Sequence, residues 1–165
     1  MGDADNQQGR LDASWISGFT DGEGCFHISI NKISGMSLGW QVLPEFRIVQ
    51  HEKDEAVLYK IKNYFGFGEV KINRTDNHGT RKEFRVRGLE NLKKLIEFFN
   101  KFPLNTSKSK DFEIFSKVID LIDKKEHLTK EGLDKIAEFV SVMNRKPKLK
   151  YLEPSETIRS TQNKE

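Results

Sequence analysis

Glu23 closes the run Ser17-Gly18-Phe19-Thr20-Asp21-Gly22-Glu23 and is the residue in this chain best placed for chemistry. Its carboxylate offers the oxygen ligands that a hard divalent cation such as Mg²⁺ takes. A second acid, Asp21, stands two residues earlier, a spacing that cannot place both on one helical face. Asp21 is therefore expected to cap or pack near the helix end. Gly18 and Gly22 lie four apart inside the same short helical pattern. Each costs roughly 1 kcal/mol relative to alanine there. An acid at a helix C-terminus also meets the unfavourable end of the macrodipole. Two local rules broken side by side mark a place where a functional site is expected. Without Cβ atoms, Gly18 and Gly22, with Ser14 on the same stripe, suit close backbone approach, either to a second helix copy or to a neighbour inside a monomer.

The elements that would position these residues follow from periodicity. The first helix is predicted from Ala13 to Asp21, with Asp12 as its N-cap. Strands are predicted near 25–32 and 41–49, then a helix near 53–64 that stops at Tyr64-Phe65-Gly66. Two further strands, near 68–74 and 82–87, flank the turn-forming Asp76-Asn77-His78-Gly79. Helices follow near 90–100, 109–124 and 130–143, the last opened by Thr129 with Glu131 in its first turn. The class is α+β in the order αββαββα with an extra C-terminal helix. One domain is expected over 11–146, after a disordered leader over 1–10. The segment 147–165 reads as a basic, flexible tail, either contacting DNA or simply disordered.

Composition narrows the function. The 165 residues suit one domain with a modest core. The net charge of +3 says little, but its distribution says more. Between Val70 and Gly88 six Lys or Arg face Asp76 and Glu83, whereas between Asp111 and Glu138 eight acids face five bases. Such a split is expected where one face meets phosphates, and it also occurs on merely solvated surfaces. Cys25 is the single cysteine, which excludes an intramolecular disulfide framework and fits a reducing compartment. His27, His51, His78 and His127 show no zinc-ligand spacing, and His51 reads as a helix-entry residue. No apolar run is long enough to span a membrane. The acidic N-terminus resembles neither a secretory signal nor a transit peptide, so secretion is not expected.

Five segments in order carry a family resemblance. They are Ser17 to Gly24, Phe46-Arg47-Ile48-Val49-Gln50-His51-Glu52-Lys53-Asp54, Tyr64-Phe65-Gly66-Phe67-Gly68, Phe102-Pro103-Leu104-Asn105-Thr106-Ser107-Lys108, and Lys125-Glu126-His127-Leu128-Thr129. Together they resemble the LAGLIDADG homing endonucleases over residues 11 to about 146. The resemblance implies the LAGLIDADG fold, an antiparallel four-stranded DNA-binding sheet with helices packed on one face. It is with the single-motif, homodimeric type, because residues 70–165 contain no second such run. The dimer interface would then comprise Ser14, Gly18 and Gly22. The implied activity is metal-dependent double-strand cleavage of DNA at a long, near-palindromic site. Glu23 and the main-chain carbonyl of Gly22 would bind metal, Gln50 would position the attacking water, and Lys108 would stabilise developing phosphate charge. Thr106 and Lys110 compete with Lys108 for that last role. Two or more Mg²⁺ ions per dimer are implied, with Mn²⁺ a substitute and Ca²⁺ binding without supporting cleavage. Such genes commonly sit in introns, which implies a mitochondrion, chloroplast or microbial cytoplasm. An intron RNA maturase and a non-catalytic DNA-binding regulator of the same fold stand as alternatives.

Readout is expected from the sheet. Phe26, Ile28 and Ile30 alternate with His27, Ser29 and Asn31, and Val42, Phe46 and Ile48 alternate with Gln41, Glu45 and Arg47. Val70 and Ile72 alternate with Lys71 and Asn73, and Phe84 and Val86 with Arg85 and Arg87. Alternation suits any half-buried sheet. An open face rich in Arg, Asn, Gln and His suits purine edges in a major groove. The candidate DNA contacts are His27, Ser29, Asn31, Gln41, Arg47, Lys71, Asn73, Arg85 and Arg87. Glu45 and Glu83 break the pattern, either accepting from a cytosine amine or pairing with Arg47 or Arg85.

Overall fold

Asp12 starts the fold by accepting a hydrogen bond from Trp15 N at 2.7 Å, which fixes the first turn of α1 (Ala13–Glu23). In the computed structural model, residues 11–143 and Tyr151 are described. The predicted leader over 1–10 and most of the predicted tail lie outside the described residues. After α1 come β1 (Gly24–Lys32), β2 (Trp40–His51) and a 3₁₀ turn at Glu52–Asp54. They are followed by α2 (Glu55–Phe65), β3 (Glu69–Asp76) and β4 (Gly79–Val86). Helices α3 (Leu89–Lys101), α4 (Lys108–Asp123) and α5 (Lys130–Val142) complete the described chain. The expected order αββαββα with additional helices is the observed one.

The four strands form one antiparallel sheet in the order β1-β2-β4-β3. Its apolar face carries Phe26, Ile28, Phe46, Ile48, Phe84 and Val86, all buried; α2, α3 and α4 pack on that face, and α5 packs on α4. Phe26 lies at the centre, with ring centroids 5.0 Å from Phe46, 5.3 Å from Phe115, 5.4 Å from Phe112 and 5.6 Å from Phe99. Offset aromatic packing of this kind adds to the burial of large side chains. Helix α2 stops at Gly66, whose φ of 75° is left-handed and whose N–H reaches Lys62 O at 2.9 Å. Helix α5 opens on Thr129, which accepts from Gly132 N, with Glu131 in the first turn as expected.

Strands β2 and β3 run about two residues longer than expected, to His51 and Asp76, and β4 opens at Gly79 rather than near 82; three further differences bear on the site. Helix α1 continues two residues past Asp21, because Gly24 N–H bonds to Thr20 O and keeps Glu23 in the last turn. Arg87 lies one residue beyond β4, where the chain turns through Gly88 into α3. Ile72 was expected on the buried side and is 59% exposed. It sits on edge strand β3 beside a register shift between Ile72 and Arg74, which turns that end of the strand away from the helices. Among the described residues, no helix is long and apolar enough to cross a membrane.

Candidate active site and nucleic-acid interface

The end of α1 is built so that Glu23 projects outward. Ile16, Ser17 and Thr20 face inward and are buried, and Ser17 Oγ donates to Phe102 O at 2.7 Å. Ser14, Gly18, Gly22 and Glu23 fall on the exposed side. A Cβ added at Gly18 or Gly22 would meet no atom within 4 Å, so that stripe lies open. Gly24 is the opposite case. A Cβ there would come within 2.5 Å of Thr20 Cγ2 and 2.9 Å of Thr20 O. Only glycine lets β1 leave the helix directly behind Glu23 without displacing Thr20.

Asp21 does not join Glu23. Its carboxylate accepts from Asn105 N at 2.8 Å, Thr106 N at 3.0 Å and Thr106 Oγ1 at 2.6 Å. Partial burial raises this carboxyl, but the Thr106 and Asn105 hydrogen bonds and the Lys108 charge outweigh it and hold the group below its ordinary value. The expectation that Asp21 caps near the helix end is met through the segment entering α4. Lys108, the first residue of α4, sends its ammonium back to Gly24 O, next to Glu23. Thr106 is occupied by Asp21, and Lys110 is exposed.

A groove of about 610 Å³ brings Glu23 and Gln50 together with Arg47, Asn73, Arg74 and Arg81. Cys25, Val49 and His51 complete its lining. Arg74 and Arg81 are the residues that the sequence reading missed individually. For Arg81 a signal existed: it shares the alternating set with Glu83 and Arg85. Its Nη1 is buried with no hydrogen-bond partner. His51 is structural in geometry. Its Nδ1 accepts from Lys53 N at 3.2 Å and its Nε2 lies 3.1 Å from His78 O.

The candidate readers occupy the sheet face away from the helices. His27, Ser29, Asn31 and Gln41 lie on the paired β1 and β2, with Asn31 directly opposite Gln41. Asn31 Nδ2 donates to Ser29 Oγ at 3.2 Å. Arg47 stands opposite Arg85, and Lys71 opposite Glu83. Five of the nine candidates are tied to acids: Arg47 and Arg87 to Glu45, Asn73 to Glu83, and Arg85 and Lys71 to Glu69.

The donor chemistry of the Glu23 region fits a hard cation. Glu23 and the Gly22 carbonyl supply oxygen only, and Asp21 is already committed to Thr106. Among the described residues, no group of three or more His, Cys, Asp or Glu could hold a metal ion within one protomer.

A one-sided antiparallel sheet with an acid-ended, glycine-striped helix at one edge defines the class, and solved structures share it. The homing endonuclease I-TnaI superposes with a TM-score of 0.79 at 43% identity, over 93% of this chain and 97% of that one. I-SmaMI, bound to uncleaved DNA target in the presence of calcium ions, gives a TM-score of 0.77 at 31% identity, over 94% of this chain and 50% of that one. The chain belongs to the LAGLIDADG endonuclease family, whose profile matches residues 16–119. Among curated relatives, a probable intron-encoded endonuclease 3 of Neurospora crassa is 34% identical over 132 residues, covering 79% of this chain. The chain spans 24% of that relative's length.

Proposed function

We infer that this chain is a site-specific DNA endonuclease that works as a homodimer with divalent cations. The observation that carries the reading is the placement of Glu23. It is exposed at the foot of the bare Ser14, Gly18 and Gly22 stripe and on the rim of a groove shared with Gln50 and Arg81. Pairing two copies along the stripe brings two Glu23 carboxylates to one place, where like charges would repel without a cation. The match to nearly all of I-TnaI, and to only half of I-SmaMI, supports a chain that acts as one of two equal halves.

Glu23 and the Gly22 carbonyl hold Mg²⁺ in this reading, with Mn²⁺ a substitute and Ca²⁺ binding without supporting cleavage. When bound, the cation lowers the pKa of attacking water and neutralises charge on the scissile phosphate. Gln50 orients the water from the opposite wall of the groove. In this reading Lys108, whose ammonium reaches the Gly24 carbonyl, stabilises the phosphate charge that develops. Arg74 and Arg81 add cationic contacts to the DNA backbone. His27, Ser29, Asn31, Gln41, Arg47, Lys71, Asn73, Arg85 and Arg87 read base edges from the open sheet face. Two identical subunits read two half-sites, which makes the target long and near-palindromic. An organelle or a microbial cytoplasm is the proposed setting.

Replacing Glu23 with Gln tests the reading. The variant should bind its site with unchanged affinity and leave both strands intact. Loss of folding or of binding together with cleavage would contradict the role given to Glu23.

A further inference from the structure

Glu45 and Glu83 are the two buried charged residues among those described, at 6% and 4% exposure, yet both lie on the sheet face that carries the readers. Charged side chains are almost never this buried unless paired. Glu45 Oε2 accepts from Arg87 Nε at 2.7 Å and Nη2 at 2.6 Å, and Glu45 Oε1 lies 3.5 Å from Arg47 Nη1. Glu83 Oε2 accepts from Asn73 Nδ2 at 2.8 Å, and its Oε1 lies 3.8 Å from Arg85 Nη1. Arg85 is held from its other side by Glu69, with Nε at 3.0 Å.

The register explains the arrangement. Arg47 on β2 stands directly opposite Arg85 on β4. Like charges placed so are destabilising. Because the strands run antiparallel, Glu45, two residues before Arg47, and Glu83, two residues before Arg85, bracket this pair from opposite ends. A surface built only for phosphate attraction would gain nothing from two acids at its centre, since each removes cationic charge from the field that binds any duplex. The acids do fix the guanidinium and amide directions. Part of an arginine's rotamer entropy is already lost when its fork is held before binding.

We propose that Glu45 and Glu83 are specificity-setting positioning residues, which aim Arg47, Arg87, Arg85 and Asn73 at base edges and suppress binding to non-target DNA. The proposal rests on the endonuclease reading above and assigns the discrimination of that same surface. A purely structural role would change melting temperature, and would shift affinity for every duplex equally. The proposed role changes the ratio between target and non-target.

The test uses the full chain, with Ca²⁺ holding complexes uncut. The wild-type protein first selects its site from a randomised duplex library. Affinities for that site and for a scrambled duplex are then measured across a salt series for wild type, Glu45→Gln and Glu83→Gln. Each substitution should tighten scrambled-duplex binding, steepen its salt dependence by about one phosphate contact, and lower the target-to-scrambled ratio at least tenfold. Glu45→Asp keeps the charge but withdraws the carboxylate by one methylene. It should lower the ratio with no change in salt slope, and it decides the matter if a Gln variant fails to fold. Ratios within twofold of wild type in folded variants would overturn the proposal alone. A wild-type protein that selects no duplex would overturn the endonuclease reading as well.

Discussion

Thr106 gives its hydroxyl and its backbone N–H to the carboxylate of Asp21, at 2.6 and 3.0 Å, across 85 residues of sequence. This clamp ties the end of α1 to the entry of α4, and Lys108 returns from there to the Gly24 carbonyl. Lys108 is thereby anchored on the carbonyl of Gly24, the residue that follows Glu23. Asp21→Asn keeps one acceptor oxygen and sets an NH₂ against the backbone donors, so it should cost about 1–3 kcal/mol. Thermal melts check the stability, and single-turnover cleavage should slow because Lys108 loses its support.

The same clamp has a pH signature. The folded Asp21 carboxyl titrates below its ordinary value of 3.8. Its contribution to stability is therefore complete above that value and is lost as pH falls through the lower, folded one. Acid titration of wild type against Thr106→Val should show the difference between them shrinking below pH 3.8, and constant across neutral pH.

Gly18 and Gly24 should respond in opposite ways to alanine. At Gly18 the added methyl meets nothing within the protomer. It should raise protomer stability by about 1 kcal/mol, measured below the dimerisation concentration, while light scattering shows a weaker dimer. At Gly24 the methyl strikes Thr20, and a loss of about 1–3 kcal/mol is expected.

Lys108→Ala should lower cleavage turnover by about 10²–10³-fold with little effect on binding, the scale for removing one preorganised charge donor. Lys110→Ala should leave turnover near wild type. Quantitative single-turnover assays at saturating enzyme separate the two.

Phe26 touches four other phenylalanine rings at the centre of the core. Phe26→Ala should destabilise by about 3–5 kcal/mol in denaturant unfolding.

Much of this architecture was legible in the sequence because its signals are local. Period-two alternation placed the apolar faces of β1, β2 and β4, Asp12 and Thr129 marked helix starts, and Gly66 marked a stop. The run from Ser17 to Gly24 located Glu23. What stayed ambiguous depends on contacts between distant segments. Lys108 was the leading reading, with Thr106 and Lys110 as neighbours that spacing could confuse with it, and only the fold gives Thr106 to Asp21 and turns Lys108 toward Gly24. Ile72 fitted the buried alternation, but an edge position and a register shift decided otherwise. Arg81 was available from alternation with Glu83 and Arg85, whereas its unpartnered guanidinium nitrogen depends on how β4 meets the start of α2. The burial of Glu45 and Glu83 follows from the pairing of Arg47 with Arg85, a cross-strand register that one strand cannot reveal.

The central claim is that two copies of this chain, joined along Gly18 and Gly22, cut both strands of one DNA site with the two Glu23 carboxylates. Cleavage of a partly randomised duplex library in Mg²⁺, with a parallel Ca²⁺ reaction to capture bound and uncut DNA, tests it most directly. One near-palindromic site should be recovered, cut on both strands in Mg²⁺ and retained intact in Ca²⁺. Binding without cleavage in Mg²⁺, or an asymmetric site occupied by a single protomer, would contradict it.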